Sequence, residues 1–423
     1  MRIHITGGQP LVGSVRVGGA KNACLPILAA CVLVDGKTII RDVPKIRDID
    51  NLLHILAGLG IRIEWHDGDV HLDTEGIGYN EINAESAKKI RGSIFLLGSI
   101  LGRFKRAKLP YPGGCKIGAR PIDLHLGGFS DIGITVRESK QFVSCNSRKM
   151  KGGVVYLDFP SVGATENLVL ASVRGRNTVK IINAAKEPEV VDLCDFLIAC
   201  GACITGHGTD TIVVHGVDVL RGVTYTPIPD RINTASYMLA VAATGGDVMI
   251  TNVIPQHNAG LIRRLEKLGV SFRVGANRIR VISSGRDSQL PVKSLTIQTA
   301  PYPGFSTDIQ SQFAAMAASR GIGCLITENL FESRFRYLAE LEKFGVRSCL
   351  KGRVANVRGV GVLTAGTRET PLVVFATDLR GGVAMVIAAL VADGETIIEN
   401  AEQIARGHAD IVGEFQKLGA NIF

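Results

Sequence analysis

The sequence predicts an α/β protein of two domains, each built from three copies of a helix followed by a strand hairpin. Three observations support this prediction. A chain of 423 residues is too long for a single domain at about 150 residues per domain. Its 46% hydrophobic and 21% charged residues are ordinary for a globular chain and exclude the disordered and collagen-like classes. The third observation is an internal repeat that occurs in six copies.

Each copy of the repeat has an amphipathic segment, then a glycine, then a small or branched apolar residue. The six glycines are spaced by 68 to 76 residues and are Gly60, Gly133, Gly201, Gly269, Gly345 and Gly419. A glycine here supplies the left-handed turn that ends a helix. In the fourth copy, Leu261, Leu265 and Leu268 share one helical face. Residues 270–274 then alternate in polarity, which is typical of a strand.

A proline-rich crossing at 225–230 separates the third copy from the fourth, because its prolines cannot continue a helix or a central strand. The last copy stops at Phe423 just as its strand begins. We therefore expect a strand around Arg2 to Gly7 to complete the second domain. The predicted domains are residues 21–229, and residues 1–20 together with 230–423.

The net charge of +9 suits anionic ligands. Basic residues occur in short groups, such as 103–108 and 148–151, and are not interleaved with aromatic residues at a base-stacking spacing. We therefore expect no nucleic-acid partner. The N-terminus lacks the apolar stretch of a signal peptide, and the late apolar run at 383–392 is too short to span a bilayer. A cytoplasmic protein without a membrane partner is expected.

The nine cysteines fit reduced thiols in a cytosolic enzyme better than a disulfide framework. The only CxxC motif runs from Cys200 to Cys203, and no second cysteine pair accompanies it. Apolar packing of both thiols is favoured over metal binding. The sequence therefore predicts no metal site.

Two glycine-rich segments carry side chains suited to chemistry. In residues 17–26, a glycine pair precedes Lys21, Asn22 and a helix-like run; helix-start amides and a lysine suit an anion. The spacing is not that of a Walker loop, and an ordinary turn with a surface lysine remains an alternative. In residues 111–120, Cys115 stands beside two cations, which lower a thiol pKa, and flanking glycines let a loop close over substrate. An inert loop thiol remains the alternative there.

Two further segments carry charged side chains near predicted helix starts. Asp308 follows a turn in 303–310 and is either an N-terminal cap or a general base. Arg380 and Arg406 can fork onto a carboxylate or phosphate, or pair with acids at the surface.

Seven motifs together are similar to one family. They are GGAKN at 18–22, PGGCKIGARPIDLHL at 112–126, PSVGATEN at 160–167, AAKEPEVVDL at 184–193, PDRI at 229–232, PGFSTD at 303–308 and TDLRGG at 377–382. Nearly end to end, the chain resembles the UDP-N-acetylglucosamine 1-carboxyvinyltransferases, which are enolpyruvyl transferases. The resemblance implies two inside-out α/β barrel-like domains of three repeats each.

The resemblance also implies a reaction without metal or cofactor. Phosphoenolpyruvate donates its enolpyruvyl group to the 3-hydroxyl of UDP-N-acetylglucosamine and phosphate leaves, in the first committed step of peptidoglycan synthesis. It implies that Cys115 is the general acid, forms an adduct with phosphoenolpyruvate and is alkylated by fosfomycin, and that Asp308 is the base for the sugar hydroxyl. Lys21, Arg120 and Arg406 would hold the donor's phosphate and carboxylate, with Arg380 nearby.

On the acceptor side, the resemblance implies contacts of UDP-N-acetylglucosamine with Asn22, Arg91, Arg120, Pro121, Ile122, Asp123, Leu124, Ser161, Val162, Gly163, Asp308 and Leu330. His125 is a further candidate contact. Arg334 either orients the site or forms a structural ion pair.

The chain departs from the family pattern at a few positions. Phe95 stands where tryptophan is common, Ala405 precedes Arg406 where an acid is common, and Lys116 and the basic turn at 174–178 are atypical. These departures favour one alternative, a non-catalytic or weakly active UDP-sugar-binding paralogue. Another alternative is the shikimate 3-phosphate enolpyruvyl transferase, which shares fold and donor, although the Cys115 loop and GGAKN argue against it.

Overall fold

The computed structural model describes residues 1–113, 117–285 and 292–423. These residues divide into two compact units. The terminal unit consists of residues 1–18, 117–119, 229–285 and 292–423, and the central unit consists of residues 19–113 and 120–228. Each unit has its own apolar core. Among the described residues, no helix has both the length and the apolar character needed to cross a membrane.

The terminal unit begins with two strands, β1 (Ile3–Thr6) and β2 (Leu11–Arg16). The helices of the central unit are α1 (Lys21–Ala30), α2 (Arg47–Gly58), α3 (Ala84–Lys89), α4 (Phe95–Phe104), α5 (Asp123–Asp131), α6 (Val162–Ser172) and α7 (Pro188–Ala199). Its strands are β3 (Lys37–Ile40), β4 (Arg62–His66), β5 (Asp69–Asp73), β6 (Arg106–Pro110), β7 (Thr135–Glu138), β8 (Phe142–Asn146), β9 (Gly153–Tyr156), β10 (Thr178–Ile182), β11 (Cys203–Thr205), β12 (Thr211–His215) and β13 (Thr224–Tyr225).

The remaining α-helices and strands belong to the terminal unit. Its helices are α8 (Arg231–Thr244), α9 (Ala259–Glu266), α10 (Gln310–Ser319), α11 (Tyr337–Glu342), α12 (Leu379–Val391) and α13 (Ile411–Lys417). Its strands are β14 (Gly246–Thr251), β15 (Ser271–Val274), β16 (Arg278–Ser283), β17 (Ser294–Gln298), β18 (Gly323–Thr327), β19 (Arg347–Lys351), β20 (Val354–Arg358), β21 (Leu372–Phe375), β22 (Glu395–Glu399) and β23 (Asn421–Ile422). Short 3-10 helices lie at Cys31–Leu33, Arg91–Ile94, Pro255–Asn258, Thr307–Ile309, Arg334–Arg336 and Ala401–Arg406.

The described residues of each unit form three sheets. In the central unit the strand orders are β13-β3-β5-β4, β6-β8-β7 and β11-β12-β10-β9. In the terminal unit they are β15-β16-β14-β2, β17-β18-β20-β19 and β21-β22-β1-β23. Most sheets join an antiparallel hairpin to one parallel strand, as where β14 pairs with β16 antiparallel and with β2 parallel.

The six repeat glycines all adopt the left-handed backbone that the sequence predicts, with φ between +78° and +103°. Each follows a helix (α2, α5, α7, α9, α11 or α13) by two or three residues and precedes a strand (β4, β7, β11, β15, β19 or β23). Only glycine adopts this conformation without strain. The predicted helix, glycine and hairpin repeat is therefore confirmed. The strand predicted around Arg2 to Gly7 is β1, and its Ile5 pairs with Ile422 of β23.

Helices apolar on all sides form the centre of each unit, and the sheets lie around them. In the terminal unit α8, α10 and α12 contact one another, and every residue of α12 is buried. A helix hydrophobic around its whole circumference is stable only in such a core. The arrangement matches the inside-out layering that the resemblance implies.

The prediction that both CxxC thiols pack in apolar surroundings is half wrong. Cys200 is buried, and burial raises the pKa of its thiol to about 12, so it behaves as an apolar packing residue. Cys203 is exposed. Alternation along β11 places Ile204 inward, and its neighbours therefore face solvent.

Candidate active site

Lys21 is the first residue of α1 and is held by a carboxylate of the central unit. Its ammonium Nζ lies 2.7 Å from Oδ2 of Asp48, which is buried in the first turn of α2. The preceding turn requires Gly19, because a β-carbon there would lie 2.3 Å from the carbonyl oxygen of Asp42. Lys21 is itself buried, so the alternative of a surface lysine is wrong. Asn22 follows it and is half-buried.

Arg91 and Arg120 bring two positive charges together in the same unit. The guanidinium of Arg91 donates a hydrogen bond to the carbonyl of Arg120. Burial, followed by the charge of Arg120, lowers the pKa of Arg91 to about 10. Arg120 has a φ of +48°, which is uncommon for a residue with a side chain. The charge of Arg120 is close enough to lower the pKa of Arg91, so an anion beside the two arginines would be stabilised.

The segment after Arg120 leads into α5. Pro121 is exposed, Ile122 is buried, Asp123 is the exposed first residue of α5, and Leu124 is half-buried. The segment therefore exposes the proline ring of Pro121 and the carboxylate of Asp123 close to Arg120 in the sequence.

His125 lies within α5 as a neutral, oriented imidazole. The Oδ1 atom of Asn167 accepts from the Gly98 amide at 2.8 Å, which turns its Nδ2 toward Nδ1 of His125 at 3.0 Å. This arrangement assigns the ring proton to Nε2. Burial, with Arg91 as the second cause, lowers the pKa of His125 to about 3. Sequence reasoning ranked His125 low and missed Asn167, whose side chain carries no recognisable signal within PSVGATEN.

The start of α6 faces His125. Ser161 caps this helix, since its hydroxyl accepts from the amide of Ala164 at 3.3 Å. The amides of Val162 and Gly163, in the first turn, have no partner within the helix and suit an anion. A β-carbon at Gly163 would lie 3.2 Å from Nε2 of His125, so the imidazole N–H stands close to these amides.

Asp308 lies in the terminal unit within the 3-10 helix at Thr307–Ile309. Its Oδ1 is 2.5 Å from Nη2 of Arg334, and its Oδ2 is 3.6 Å from Nη2 of Arg380. The cap of this short helix is Ser306, whose hydroxyl accepts from the Asp308 amide at 3.2 Å. The alternative that Asp308 is only a helix cap is therefore wrong.

Arg334 is buried and joins two carboxylates. It contacts Asp378 at 3.8 Å in addition to Asp308. Burial lowers the pKa of Arg334, but Asp308, Asp378 and Glu328 more than offset burial, so its pKa lies above the usual value. The guanidinium remains charged and fixes the orientation of the Asp308 carboxylate.

Arg380 is buried near the start of α12, so the alternative of a surface ion-pair partner is wrong. Asp378 caps this helix by accepting from the amides of Arg380 and Gly381 at 3.0 and 3.2 Å. Within the described part of the chain, Nη1 of Arg380 is buried and has no hydrogen-bond partner. Such a donor is costly to leave unpaired, which indicates a place for a ligand oxygen. Arg406 is half-buried at the end of its 3-10 helix.

Glu328 is a buried carboxylate that sequence reasoning missed. It accepts from the hydroxyls of Thr299 and Thr307 at 2.8 and 2.9 Å, and from the amides of Leu330 and Phe331 at 2.9 and 3.1 Å. It therefore fixes Leu330 and the turn before Asp308 relative to each other. No motif in the sequence marks it, because its partners lie up to about thirty residues away.

Cys115 and Lys116 lie outside the described residues. The segment after them, 117–119, is held by Glu332 and its neighbour. The carboxylate of Glu332 accepts from the Ala119 amide at 2.7 Å, and the Ser333 amide donates to the carbonyl of Ile117 at 3.0 Å. The hydrogen bond from Ala119 lowers the pKa of Glu332.

Two of the other departures from the family pattern have structural roles. Phe95 is half-buried against the central core. Arg174 lies 3.1 Å from Asp35 and donates to the carbonyl of Leu33 at 3.0 Å, so it stabilises the unit internally. Ala405 is half-buried beside Arg406.

The chain is similar to named proteins along nearly its whole length. A model of the family described as EPSP synthase (3-phosphoshikimate 1-carboxyvinyltransferase) matches residues 5–415. The chain is 43% identical to UDP-N-acetylglucosamine 1-carboxyvinyltransferase 3 of Caldanaerobacter subterraneus subsp. tengcongensis, over 99% of this chain and 98% of that protein. It is also 43% identical to UDP-N-acetylglucosamine 1-carboxyvinyltransferase 2 of Carboxydothermus hydrogenoformans, over 99% and 98%. It is 40% identical to the UDP-N-acetylglucosamine 1-carboxyvinyltransferase of Halothermothrix orenii, over 99% and 98%.

Two solved structures are similar over their full length. The enolpyruvyl transferase NikO from Streptomyces tendae has a TM-score of 0.88 at 26% identity and covers 100% of this chain and 98% of its own. The EPSP synthase from Acinetobacter baumannii has a TM-score of 0.74 at 17% identity, covering 100% and 99%, and is similar in fold alone. The predicted fold class is confirmed.

Proposed function

Because this chain belongs to the UDP-N-acetylglucosamine 1-carboxyvinyltransferase family of enolpyruvyl transferases, we propose that it transfers the enolpyruvyl group of phosphoenolpyruvate to the 3-hydroxyl of UDP-N-acetylglucosamine. Identity of 40 to 43% along essentially the whole chain to relatives of that name carries the proposal. The reaction would be the first committed step of peptidoglycan synthesis, in the cytoplasm. Residues 21–229, and residues 1–20 with 230–423, would be its two enolpyruvyl transferase domains.

The central unit supplies groups that suit the diphosphate of the acceptor. The amides of Val162 and Gly163 point from the start of α6, where the helix dipole favours negative charge. The neutral His125 adds an Nε2–H donor beside Gly163. The remaining contacts would come from Asn22, Arg91, Ser161, the segment from Arg120 to Leu124, and Leu330.

Asp308 is the proposed base for the sugar hydroxyl. Its two arginine partners favour the ionised carboxylate, and only the ionised form accepts a proton. As the hydroxyl oxygen bonds to C2 of phosphoenolpyruvate, its proton passes to Asp308. A second proton, from Cys115, would reach the C3 methylene and give a tetrahedral adduct. Loss of a proton from C3 and of phosphate from C2 then restores the double bond.

The donor carries a phosphate and a carboxylate, which repel each other. Lys21 and Arg380 are buried cations suited to such groups. We propose that both act on the donor together with Arg120 and Arg406, and that the unpaired Nη1 of Arg380 meets one of its oxygens. Proton transfers and fixed charges suffice for addition and elimination, so no metal or cofactor is proposed.

The experiment is phosphate release from phosphoenolpyruvate by purified protein, with UDP-N-acetylglucosamine, with shikimate 3-phosphate, and with neither. Release with UDP-N-acetylglucosamine alone is expected. Asp308→Asn should remove release without unfolding the protein. Asp247→Asn is the matched control, because Asp247 also pairs with an arginine in the terminal unit, but between strands β14 and β16 and outside the proposed site.

The other outcomes are informative. Release with shikimate 3-phosphate would overturn the acceptor assignment. If folded protein that still binds UDP-N-acetylglucosamine released no phosphate with any acceptor, the non-catalytic paralogue would be favoured. In that case Phe95 and Ala405 are the first positions to change, to tryptophan and to an acid.

A further inference from the structure

A cavity of about 490 Å³ lies within the terminal unit. Its walls come from the first turn of α8, the 3-10 turn at Pro255–Asn258, α9, strand β17 and the segment 302–309. The volume is in the range of small-molecule sites. Among the described residues, none of those proposed above for the donor or the acceptor lines this cavity.

The lining is strongly positive. Arg231, Arg263, Arg264 and Lys267 contribute four cationic side chains, and no aspartate or glutamate occurs among the described residues of the lining. His257 adds a polar group without charge, because burial, followed by the charge of Arg231, lowers its pKa to about 4. A concave surface with charge of one sign concentrates ions of the opposite sign. The cavity therefore favours an anion.

Two of the arginines are positioned by aromatic rings. The guanidinium carbon of Arg264 lies 5.6 Å from the ring centroid of Phe305, and that of Arg231 lies 5.6 Å from the ring centroid of Tyr302. Contact with an aromatic face orients a guanidinium, so that of Arg264 can present its edge N–H groups to a ligand. Such a donor fork matches the oxygens of a phosphate or carboxylate.

The backbone adds a second source of positive potential. Helix α9 begins at Ala259, and the cavity is lined by residues 256–261 around this start. The Ala259 amide donates to the Gln256 carbonyl of the preceding 3-10 turn, so the backbone favours an anion here through the positive end of the helix dipole. Gly260 has open space where a β-carbon would stand, so a ligand can approach the backbone there.

The rest of the lining is apolar. Leu261, Ile297, Phe305, Ile309 and Phe313 are buried residues that border the cavity. An inorganic anion would leave this surface in contact with water. A ligand with an anionic end and an apolar body would cover it and gain the free energy of burial.

We infer that the terminal unit carries a second ligand site, for a small organic phosphate with an aromatic or similarly apolar body. Its phosphate would lie against Arg231, Arg264 and the start of α9, and its body against Phe305 and Phe313. Ser306 and Ile309 flank Asp308 in the sequence and line the cavity. A ligand in the cavity would therefore contact the segment that carries the proposed base. The inference goes beyond the proposed function, and its test requires no turnover.

The probe is 1-naphthyl phosphate, whose fluorescence reports its binding to the full chain. Saturable binding is expected, with inorganic phosphate at least tenfold weaker as a competitor. Arg264→Gln should weaken binding at least tenfold, since it removes a charge-assisted hydrogen bond. Arg347→Gln is the matched control, because it removes an exposed arginine of β19 that does not line the cavity.

A second variant acts without removing an arginine. Gly260→Asp places a carboxylate at the first turn of α9, where the structure has room and where an acid favours the helix. It should abolish probe binding while circular dichroism and thermal unfolding match the unchanged protein. The titration is repeated with saturating UDP-N-acetylglucosamine, and binding should persist.

Three results would each overturn the inference. Equal loss of binding in Arg264→Gln and Arg347→Gln would mean diffuse attraction to a basic surface. Equal affinity for inorganic phosphate and for 1-naphthyl phosphate would mean that the apolar body of the ligand contributes nothing to binding. Displacement of the probe by UDP-N-acetylglucosamine would mean that the probe occupies the proposed substrate site. Inactivity of the enzyme towards phosphoenolpyruvate affects none of these measurements.

Discussion

Arg334 reaches Asp308 from almost complete burial, with its Nη2 atom 2.5 Å from the carboxylate. The same guanidinium lies 3.8 Å from Asp378, which caps α12 just before Arg380. One arginine therefore links the proposed base to the helix that carries a proposed donor-binding residue. The ion pair between Arg334 and Asp308 affects the reaction by orienting the carboxylate. A carboxylate that turns away from the sugar hydroxyl accepts no proton from it.

Arg334→Lys should lower kcat by about 100-fold, because a lysine keeps the charge but loses the planar fork that orients Asp308. The affinity for UDP-N-acetylglucosamine should change much less. Steady-state phosphate release and a binding titration measure the two effects. Arg336→Lys, in the same 3-10 helix but exposed, is the control and should behave as the unchanged protein. A kcat within threefold of normal would reduce Arg334 to a structural ion pair.

Glu332→Ala should slow inactivation by fosfomycin about tenfold and raise KM for phosphoenolpyruvate. The carboxylate accepts from the Ala119 amide at 2.7 Å, and without it the segment 117–119 loses this anchoring hydrogen bond. Glu332→Gln retains an acceptor oxygen and should lose less. Because Glu332 is exposed, thermal unfolding should be unchanged in both variants. Equal inactivation rates in Glu332→Ala and the unchanged protein would contradict the anchoring role.

Asp192 makes stability depend on pH in the central unit. Burial raises the pKa of its carboxyl to about 6, although it accepts from the Tyr225 hydroxyl at 2.6 Å and from the Ile228 amide at 3.0 Å. The folded state therefore binds the proton more tightly than the unfolded state, whose pKa is near 3.9. The contribution to stability is largest below pH 4 and is lost as pH rises through 6.

Asp192→Asn removes this titration. A folded pKa of about 6 against an unfolded pKa near 3.9 corresponds to about 3 kcal/mol over the whole titration, of which about 2 kcal/mol is lost between pH 4.5 and 7. The free energy of unfolding should therefore fall less over this range in the variant. Urea unfolding at the two pH values measures it. Asp131→Asn, at the exposed last residue of α5 in the same unit, is the control. Parallel pH profiles for Asp192→Asn and the unchanged protein would show that Asp192 does not titrate in this range.

The sequence reveals the repeat more fully than it reveals which residues pair with each other in the candidate site. Each repeat glycine is a local signal, since a helix stop depends on the backbone of one residue. The positions of Lys21 and Asp308 in glycine-flanked motifs are local signals too. Their partners are not: Asp48 and Arg334 are defined by tertiary contacts at separations of about 26 residues. No periodicity or composition encodes such pairs.

Gly163→Ala tests whether His125 and the start of α6 act on the acceptor together. The added β-carbon would lie 3.1 Å from Cε1 of His125 and 3.2 Å from Nε2, so the imidazole must shift from the amides of Val162 and Gly163. We expect KM for UDP-N-acetylglucosamine to rise about tenfold, the loss expected for one displaced hydrogen bond to a charged group, with kcat less affected.

Gly127→Ala in α5 is the matched control for that substitution, since a β-carbon there meets no atom within 4 Å. It should leave KM unchanged and slightly stabilise the helix. If both alanine variants kept a normal KM, His125 would have no part in binding the diphosphate. A raised KM in Gly163→Ala alone would link the imidazole to the acceptor, because the two variants differ mainly in what the new methyl group contacts.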